Sequence, residues 1–296
     1  MKKSFALIGW SLLLAGLILV FPARAQETAG VIKVEVRLVE VYASILDHKG
    51  RFVDGLDRES FQVLEDGAPQ QIAAFETTTQ SLSCAILLDT TGSMAGALPR
   101  VKNSIVKLID ELDAKDSVAI YTFDQRLVLR QAFTTDKSAA KRAVLRTRAE
   151  GSTALFDALS ETAQELSKRS GKKALILFTD GDDNSSALSA SAAVARAKKA
   201  GIPLYTIAEG EATRSQNLRK LLEDMSGRTG GTAYEIEKAG AIEQVFHEIS
   251  ERLRHLYMIG YRPPKGTPDG RWRKIDLLVK GSKEYRIRAK EGYFAE

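Results

Sequence analysis

The chain has 296 residues, 44% apolar and 27% charged, with a formal charge of +5 and a pI of about 9.1. That composition excludes a disordered or fibrous chain and allows a sizeable buried core. Lys2, Lys3 and Arg24 lie in a segment expected to be removed, so the rest is close to neutral and its charge makes no case for nucleic-acid binding.

In chain order, residues 1–25 read as a signal peptide. Lys2-Lys3 is a basic start, Phe5 to Phe21 is apolar apart from Ser11, and Ala23-Arg24-Ala25 is a small-x-small cleavage site. The mature protein is then exported, periplasmic or secreted. The alternative is an uncleaved N-terminal anchor, because the apolar run sits at the short end of what spans a bilayer.

Residues 26–80 carry a β pattern. Val34, Val36 and Leu38 alternate with Lys33, Glu35 and Arg37, and the apolar face then switches to Val39 and Val41, which suggests a bulge. Turns are expected at Asp47-His48-Lys49-Gly50 and Glu65-Asp66-Gly67, with a returning strand over Gln71–Phe75.

Residues 81–255 alternate strand and helix. Apolar runs occur at 84–88, 118–123, 127–133, 174–178, 203–208 and 233–236. Between them lie helical stripes, beginning with Leu98, Val101, Ile105, Leu108 and Leu112, then Leu155, Leu159, Ala163 and Leu166. Three more follow: Ala193 to Ala200, Leu218 to Met225, and Ile242 to Leu253. This is the pattern of an α/β fold: a doubly wound, mostly parallel six-stranded sheet with helices on both faces and one antiparallel hairpin at 118–133. Residues 256–296 turn β again, with Ile275, Leu277 and Val279 alternating, then Tyr285, Ile287 and Ala289. The two flanks are expected to pair into a small β-sandwich in which the α/β domain is inserted.

The single cysteine, Cys84, allows no internal disulfide and heads an apolar strand, where it suits a small buried hydrophobe. The chemistry lies elsewhere. The run Ile86-Leu87-Leu88 stops at Asp89, and Thr91 and Ser93 follow at alternate positions. Thr153 precedes a helix, and Asp180 ends a second apolar run, Ala174–Phe178 and Thr179. In an open α/β sheet, ligands bind beyond the carboxyl ends of strands where the strand order reverses. Two carboxylates and three hydroxyls gathered there make a hard oxygen set suited to Mg²⁺, with Mn²⁺ or Ca²⁺ as substitutes. Such a set leaves a coordination position that an Asp or Glu carboxylate of a protein partner can fill. The competing reading is that Asp89 and Asp180 only cap the helices that follow. Asp182 and Asp183 read as solvated loop residues, with a supporting role behind the metal ligands as the alternative.

Asp89-x-Thr91-x-Ser93, Thr153 and Asp180 resemble the metal-ion-dependent adhesion site of von Willebrand factor A-type domains. The resemblance covers about residues 81–255. The whole chain is further similar to a bacterial exported group with β segments on either side, through Asp47–Val53, Phe61–Gly67, Gly260-Tyr261 and Gly292-Tyr293. The resemblance implies direct metal contact from Asp89, Thr91 and Ser93. It implies direct or water-mediated contact from Thr153, and contact through water from Asp180. Thr91 stands where the family often has Ser, and it keeps the hydroxyl.

Other chemistries fit less well. A haloacid-dehalogenase-type phosphatase needs an acid or base two residues after its nucleophilic Asp, and Thr91 cannot shuttle protons near neutral pH. His48 sits in a turn, and His247 and His255 are too far apart on one helix for an i, i+4 metal pair. Lys141, Arg142, Arg146 and Arg148, and Lys168, Arg169, Lys172 and Lys173, read as solvated helix faces and turns; Arg271-Trp272-Arg273 reads as the edge of a strand. The expectation is a non-enzymatic protein-binding module, with a metal site kept for stability alone or metal-assisted phosphoryl chemistry as alternatives.

Overall fold

A computed structural model describes residues 38–77, 81–181, 183–236, 241–264, 269–281 and 284–295, leaving aside the side chains of residues 211 and 241–243. The expected signal segment, the strand read over 31–37, Asp182 and the side chain of Ile242 lie outside the described residues. Four strands come first: β1 (Val39–Leu46), β2 (Phe61–Glu65), β3 (Ala68–Gln70) and β4 (Ile72–Thr77). The central part runs β5 (Leu82–Asp89), α1 (Leu98–Glu111), β6 (Ser117–Phe123), β7 (Leu127–Thr134), α2 (Lys137–Leu145) and α3 (Leu155–Ser167). It continues with β8 (Lys172–Thr179), α4 (Ala190–Lys199), β9 (Leu204–Ala208), α5 (Gln216–Gly227), β10 (Ala233–Glu235) and α6 (Ala241–Arg254). Four more strands close the chain: β11 (Tyr257–Tyr261), β12 (Trp272–Val279), β13 (Arg286–Ala289) and β14 (Gly292–Phe294).

The central sheet has the order β10-β9-β8-β5-β6-β7. Every pairing in it is parallel except the β6–β7 hairpin. Side chains alternate across a strand, so one buried strand feeds two cores. Cys84, Ile86 and Leu88 of β5 face a cluster completed by α1, α2 and α6. Ala85 and Leu87 face a second cluster completed by α3, α4 and α5. Both faces are thus covered by helices, as the alternating pattern implies.

Successive connections from β5 lead first to β6 on one side and later to β8 on the other, so the strand order reverses between β5 and β8. Asp89 is the last residue of the first of these two neighbours, and Asp180 directly follows the second.

The flanks form two antiparallel sheets, β13-β1-β11-β4 and β14-β12-β2-β3. They share a core of Val41, Ala43, Ile45, Phe61, Val63, Ile259 and Leu277, among others. The β2–β3 turn places Asp66 at φ 48° and Gly67 at φ 83°, the paired positive values a two-residue hairpin turn requires. β1 runs from Val39 without a register shift, and the sheet's irregularity falls instead between Gly260 and Tyr261 where β11 meets β4. No helix among the described residues is long and apolar enough to cross a membrane.

Two sequence expectations need correction. α2 is a full helix that the apolar stripes leave out, because it buries only Ala140 and Val144. Lys172 and Lys173 are not in a solvated turn: they open β8, where Lys172 is buried and Lys173 half-buried.

Candidate metal centre

Asp89 is the last residue of β5 and is fully buried. Its two oxygens are held from different loops: Oδ1 accepts the Thr91 N–H at 2.9 Å, and Oδ2 accepts the Thr179 hydroxyl at 2.8 Å. Asp89 therefore turns its own loop and does not cap a helix. The short 3-10 helix Gly92–Gly96 that follows starts at Thr91 without a side-chain cap. α4, the helix after Asp180, is capped by Ser189. The capping alternative for both aspartates is thus set aside.

The two loops meet through hydroxyls. Thr91 Oγ1 lies 3.0 Å from Ser93 Oγ, and Ser93 Oγ donates to Asp180 Oδ1 at 2.8 Å. Asp89, Thr91, Ser93 and Asp180 form one connected oxygen cluster at the strand-order reversal.

Thr153 is brought alongside by main-chain bonds. Glu150 N–H donates to the Thr90 carbonyl, and Gly92 N–H donates to the Gly151 carbonyl. Gly151 sits at φ +85°, and a Cβ there would come within 2.9 Å of Asp124 Cβ, so both conformation and space call for glycine. On its other side, Thr153 N–H donates to Asn184 Oδ1, and its carbonyl accepts from the N–H groups of Asn184 and Ser185. These bonds use the main chain of Thr153; its hydroxyl takes no part in them.

The first-turn N–H groups of a helix lack partners within the helix. α3 has no local side-chain cap. Its Phe156 N–H is taken by Asp183 Oδ2 and Ser186 Oγ, and its Asp157 N–H by Ser186 Oγ. Asp157 returns the contact, accepting from the N–H groups of Ala187 and Leu188. Asp183 is therefore a clasp between the loop after β8 and α3, not a solvated residue. This clasp ties the start of α3, and Thr153 just before it, to the loop after β8.

Burial pushes the Asp89 carboxyl up to about 6, helped by the charge of Asp180 and opposed by the hydrogen bonds from Thr91 and Thr179. Asp89 makes no ion pair among the described residues. A buried carboxylate beside a second one is costly unless a positive charge joins it. Nearby, Glu209 follows β9, is buried, and pairs with Arg100 of α1. Its sequence signal is that of Asp180-Gly181: an apolar strand followed by an acidic residue and then Gly210.

The donors fit a small hard cation. All are carboxylate or hydroxyl oxygens, and among the described residues no group of three or more His, Cys, Asp or Glu is assembled that could hold a metal. In an octahedron with bonds of about 2.0–2.1 Å, adjacent oxygens are roughly 2.9 Å apart. The 3.0 and 2.8 Å separations around Ser93 Oγ are those of ordinary hydrogen bonds and are also compatible with that spacing.

Other candidates fall away. Cys84 is buried, and burial pushes its thiol up to about 12, so it is inert. His48 and His247 are exposed. His255 stacks on Phe52 and contacts Asp54 and Glu251, tying α6 to the β flank. Trp272 opens β12 against Phe294, with Lys198 over its ring.

The von Willebrand factor type A domain profile matches residues 84–248, just over half of the chain. Among curated proteins, the chain is 26% identical over 184 residues to the uncharacterized protein sll0103 of Synechocystis, covering 59% of this chain and 42% of that one. It is 29% identical over 149 residues to the uncharacterized protein YfbK of Escherichia coli, covering 47% and 26%. The chain thus spans less than half the length of these relatives. Among solved structures it is similar to a von Willebrand factor type A protein from Catenulispora acidiphila, with TM-score 0.51 and 16% identity, over 89% of this chain and 64% of that one. Proximal thread matrix protein 1 of the mussel byssus matches with TM-score 0.52 and 16% identity, over 64% and 50%. The type V pili tip protein Mfa5 domain of Porphyromonas gingivalis matches with TM-score 0.50 and 11% identity, over 59% and 97%. With the doubly wound sheet and its acidic rim in place, the chain belongs to the von Willebrand factor type A domain family.

Proposed function

We propose that this protein is an exported, non-enzymatic binding module that engages an acidic residue of a protein partner through a divalent cation. Asp89, Thr91, Ser93, Thr153 and Asp180 would hold the cation, Mg²⁺ by donor chemistry, with Mn²⁺ or Ca²⁺ as substitutes. The observation that carries this reading is Ser93 Oγ, which lies within hydrogen-bond distance of both Thr91 Oγ1 and Asp180 Oδ1. A cation bound there would supply Lewis acidity at a position open to solvent. The protein's own part is to hold five oxygens from three loops without a competing cationic side chain on Asp89.

A set with two carboxylates leaves the bound ion with affinity for one more anionic oxygen, which makes the ion a recognition element rather than a filled structural site. Mfa5 is by name a pili tip protein and the byssus protein a thread matrix protein; a role in contact with other proteins outside the cell agrees with the signal peptide expected over residues 1–25. The β-sandwich would orient the α/β domain or add a second contact surface.

The test is capture of partners from the native envelope fraction by the purified chain in Mg²⁺ and in EDTA. Mg²⁺-dependent capture that disappears in a folded Asp89→Ala variant supports the proposal. Capture that ignores Mg²⁺, with unfolding of the variant, would favour a site kept for stability alone. Hydrolysis of a generic phosphate ester that vanishes with Asp89→Asn would make the protein an enzyme.

A further inference from the structure

At the other end of β8 from Asp180, a cavity of about 300 Å³ lies between the α/β domain and the β-sandwich. Its charged lining comes from both parts: Glu40 of β1, Lys173 of β8, Lys199 at the end of α4, and Lys290 after β13. Neither Lys173 nor Lys290 makes a hydrogen bond or ion pair among the described residues. Burial lowers both ammoniums, Lys290 to about 8, and Glu40 is the carboxylate whose charge supports them. Glu40 is itself shared, since its Oε2 accepts the Tyr42 hydroxyl at 2.9 Å.

The other ionic groups on the lining are engaged. Glu65 is buried and accepts the hydroxyls of Tyr261 at 2.6 Å and Tyr293 at 3.0 Å. Arg273 is paired with Asp269. Among the described residues, Lys173 and Lys290 share Glu40 as the one carboxylate whose charge supports them both, and desolvated cations are costly until further negative charge arrives. Gly201 borders the cavity at φ +63°, in the left-handed region that favours glycine, and a Cβ there would be in ordinary contact with Lys290 Nζ at 3.5 Å. The remaining wall is apolar, from Pro263, Pro264 and Phe294 with the ring of Tyr293.

We propose that this junction cavity is a binding site for a small organic monoanion, a carboxylate with a compact apolar body, held by Lys173 and Lys290. The carboxylate lies between the two ammoniums, and its body rests on the proline and aromatic wall. The volume is at the lower end for small-molecule pockets and suits roughly a dozen heavy atoms. Because Lys173 belongs to the α/β domain and Glu40 and Lys290 to the sandwich, an occupant touches both. The site is independent of the cation-binding proposal, being about 20 Å from Asp180 along β8.

Benzoate, benzyl alcohol and benzylammonium, matched in shape and differing in charge, test it by calorimetric titration of the full chain at pH 7. Benzoate is expected to bind at one site per chain, with the alcohol and the amine at least tenfold weaker. Lys290→Gln and Lys173→Gln should each weaken benzoate roughly tenfold, the loss of one charge-assisted contact. Benzoate affinity should be the same in Mg²⁺ and in EDTA. No benzoate binding, equal binding of all three probes, or loss of binding in EDTA would each overturn the proposal. Because the three-probe comparison uses the unaltered chain, it stands even where a lysine variant fails to fold.

Discussion

Ser93 Oγ and Asp180 Oδ1 are 2.8 Å apart, although 87 positions separate the two residues in the chain. That contact joins the loop after β5 to the loop after β8 at the reversal of strand order. Replacing Ser93 with Ala removes the oxygen common to both contacts. Ser93 is exposed, so the cation-free protein should lose about 1 kcal/mol or less. The rise in melting temperature on adding Mg²⁺ should disappear, because a ligand stabilises only through its affinity for the folded state. Thermal melts of both proteins with and without Mg²⁺ check this, and an undiminished Mg²⁺ response in Ser93→Ala would contradict it.

Asp89→Asn separates stability from cation binding. Without a cation, the buried carboxylate faces the charge of Asp180, and burial has raised it to about 6. An amide can keep both local contacts. Its oxygen accepts the Thr91 N–H and its NH₂ donates to Thr179 Oγ1, which can then turn its hydroxyl toward the Gly181 carbonyl at 3.3 Å. The variant should therefore melt higher than the wild type in EDTA at pH 7.5 and show no response to Mg²⁺. A lower melting point in EDTA would mean the carboxylate is not a burden in the cation-free fold.

Gly151 tests how the third loop is placed. Alanine there must adopt φ +85° and press on Asp124 Cβ, which should cost about 1–3 kcal/mol. Because Gly151 carries the carbonyl that accepts Gly92 N–H, the strain should also displace Thr153 and weaken Mg²⁺ binding. Urea unfolding and Mg²⁺ titration of Gly151→Ala give both numbers; a variant destabilised with unchanged Mg²⁺ affinity would show that the Thr153 loop is not needed for the ion.

Lys290 predicts a pH dependence. Burial holds its folded-state value near 8, against an ordinary value of 10.5. Between those values the unfolded chain keeps a proton the folded chain has shed, so this group's contribution to stability rises with pH across that window. Below pH 8 both states are protonated and the folded state bears the full cost of the confined ammonium. Lys290→Met should therefore be more stable than the wild type at pH 7, with the gain shrinking from pH 8 to 10.5. Urea midpoints of the pair across pH 6.5–10 read the difference directly, and a constant offset would contradict it.

The α/β core was readable because its strands are buried on both faces. β5 is apolar from Cys84 to Leu88 and then stops at a carboxylate, which marks a strand end and a ligand position together. α2 was harder: a helix lying over the β6–β7 hairpin buries only two small side chains, so no stripe reveals it. The clasp of Asp157 and Asp183 was hidden for another reason. Local sequence shows caps within a helix, whereas α3 is capped by a loop 30 residues away. The same holds for the junction cavity, whose lysines and carboxylate are far apart in the chain and acquire meaning only once Glu40 of β1, Lys173 of β8 and Lys290 after β13 line one space. Glu209 is legible in the sequence, since it directly follows β9 as Asp180 follows β8.

The central claim is that five oxygens from three loops hold one cation. Diffraction from crystals grown with Mn²⁺, recorded at the manganese absorption edge, tests it most directly. The account predicts a single anomalous peak about 2.0–2.3 Å from Thr91 Oγ1 and Ser93 Oγ. An absent peak, or one seated away from the Asp89 and Asp180 loops, would contradict it.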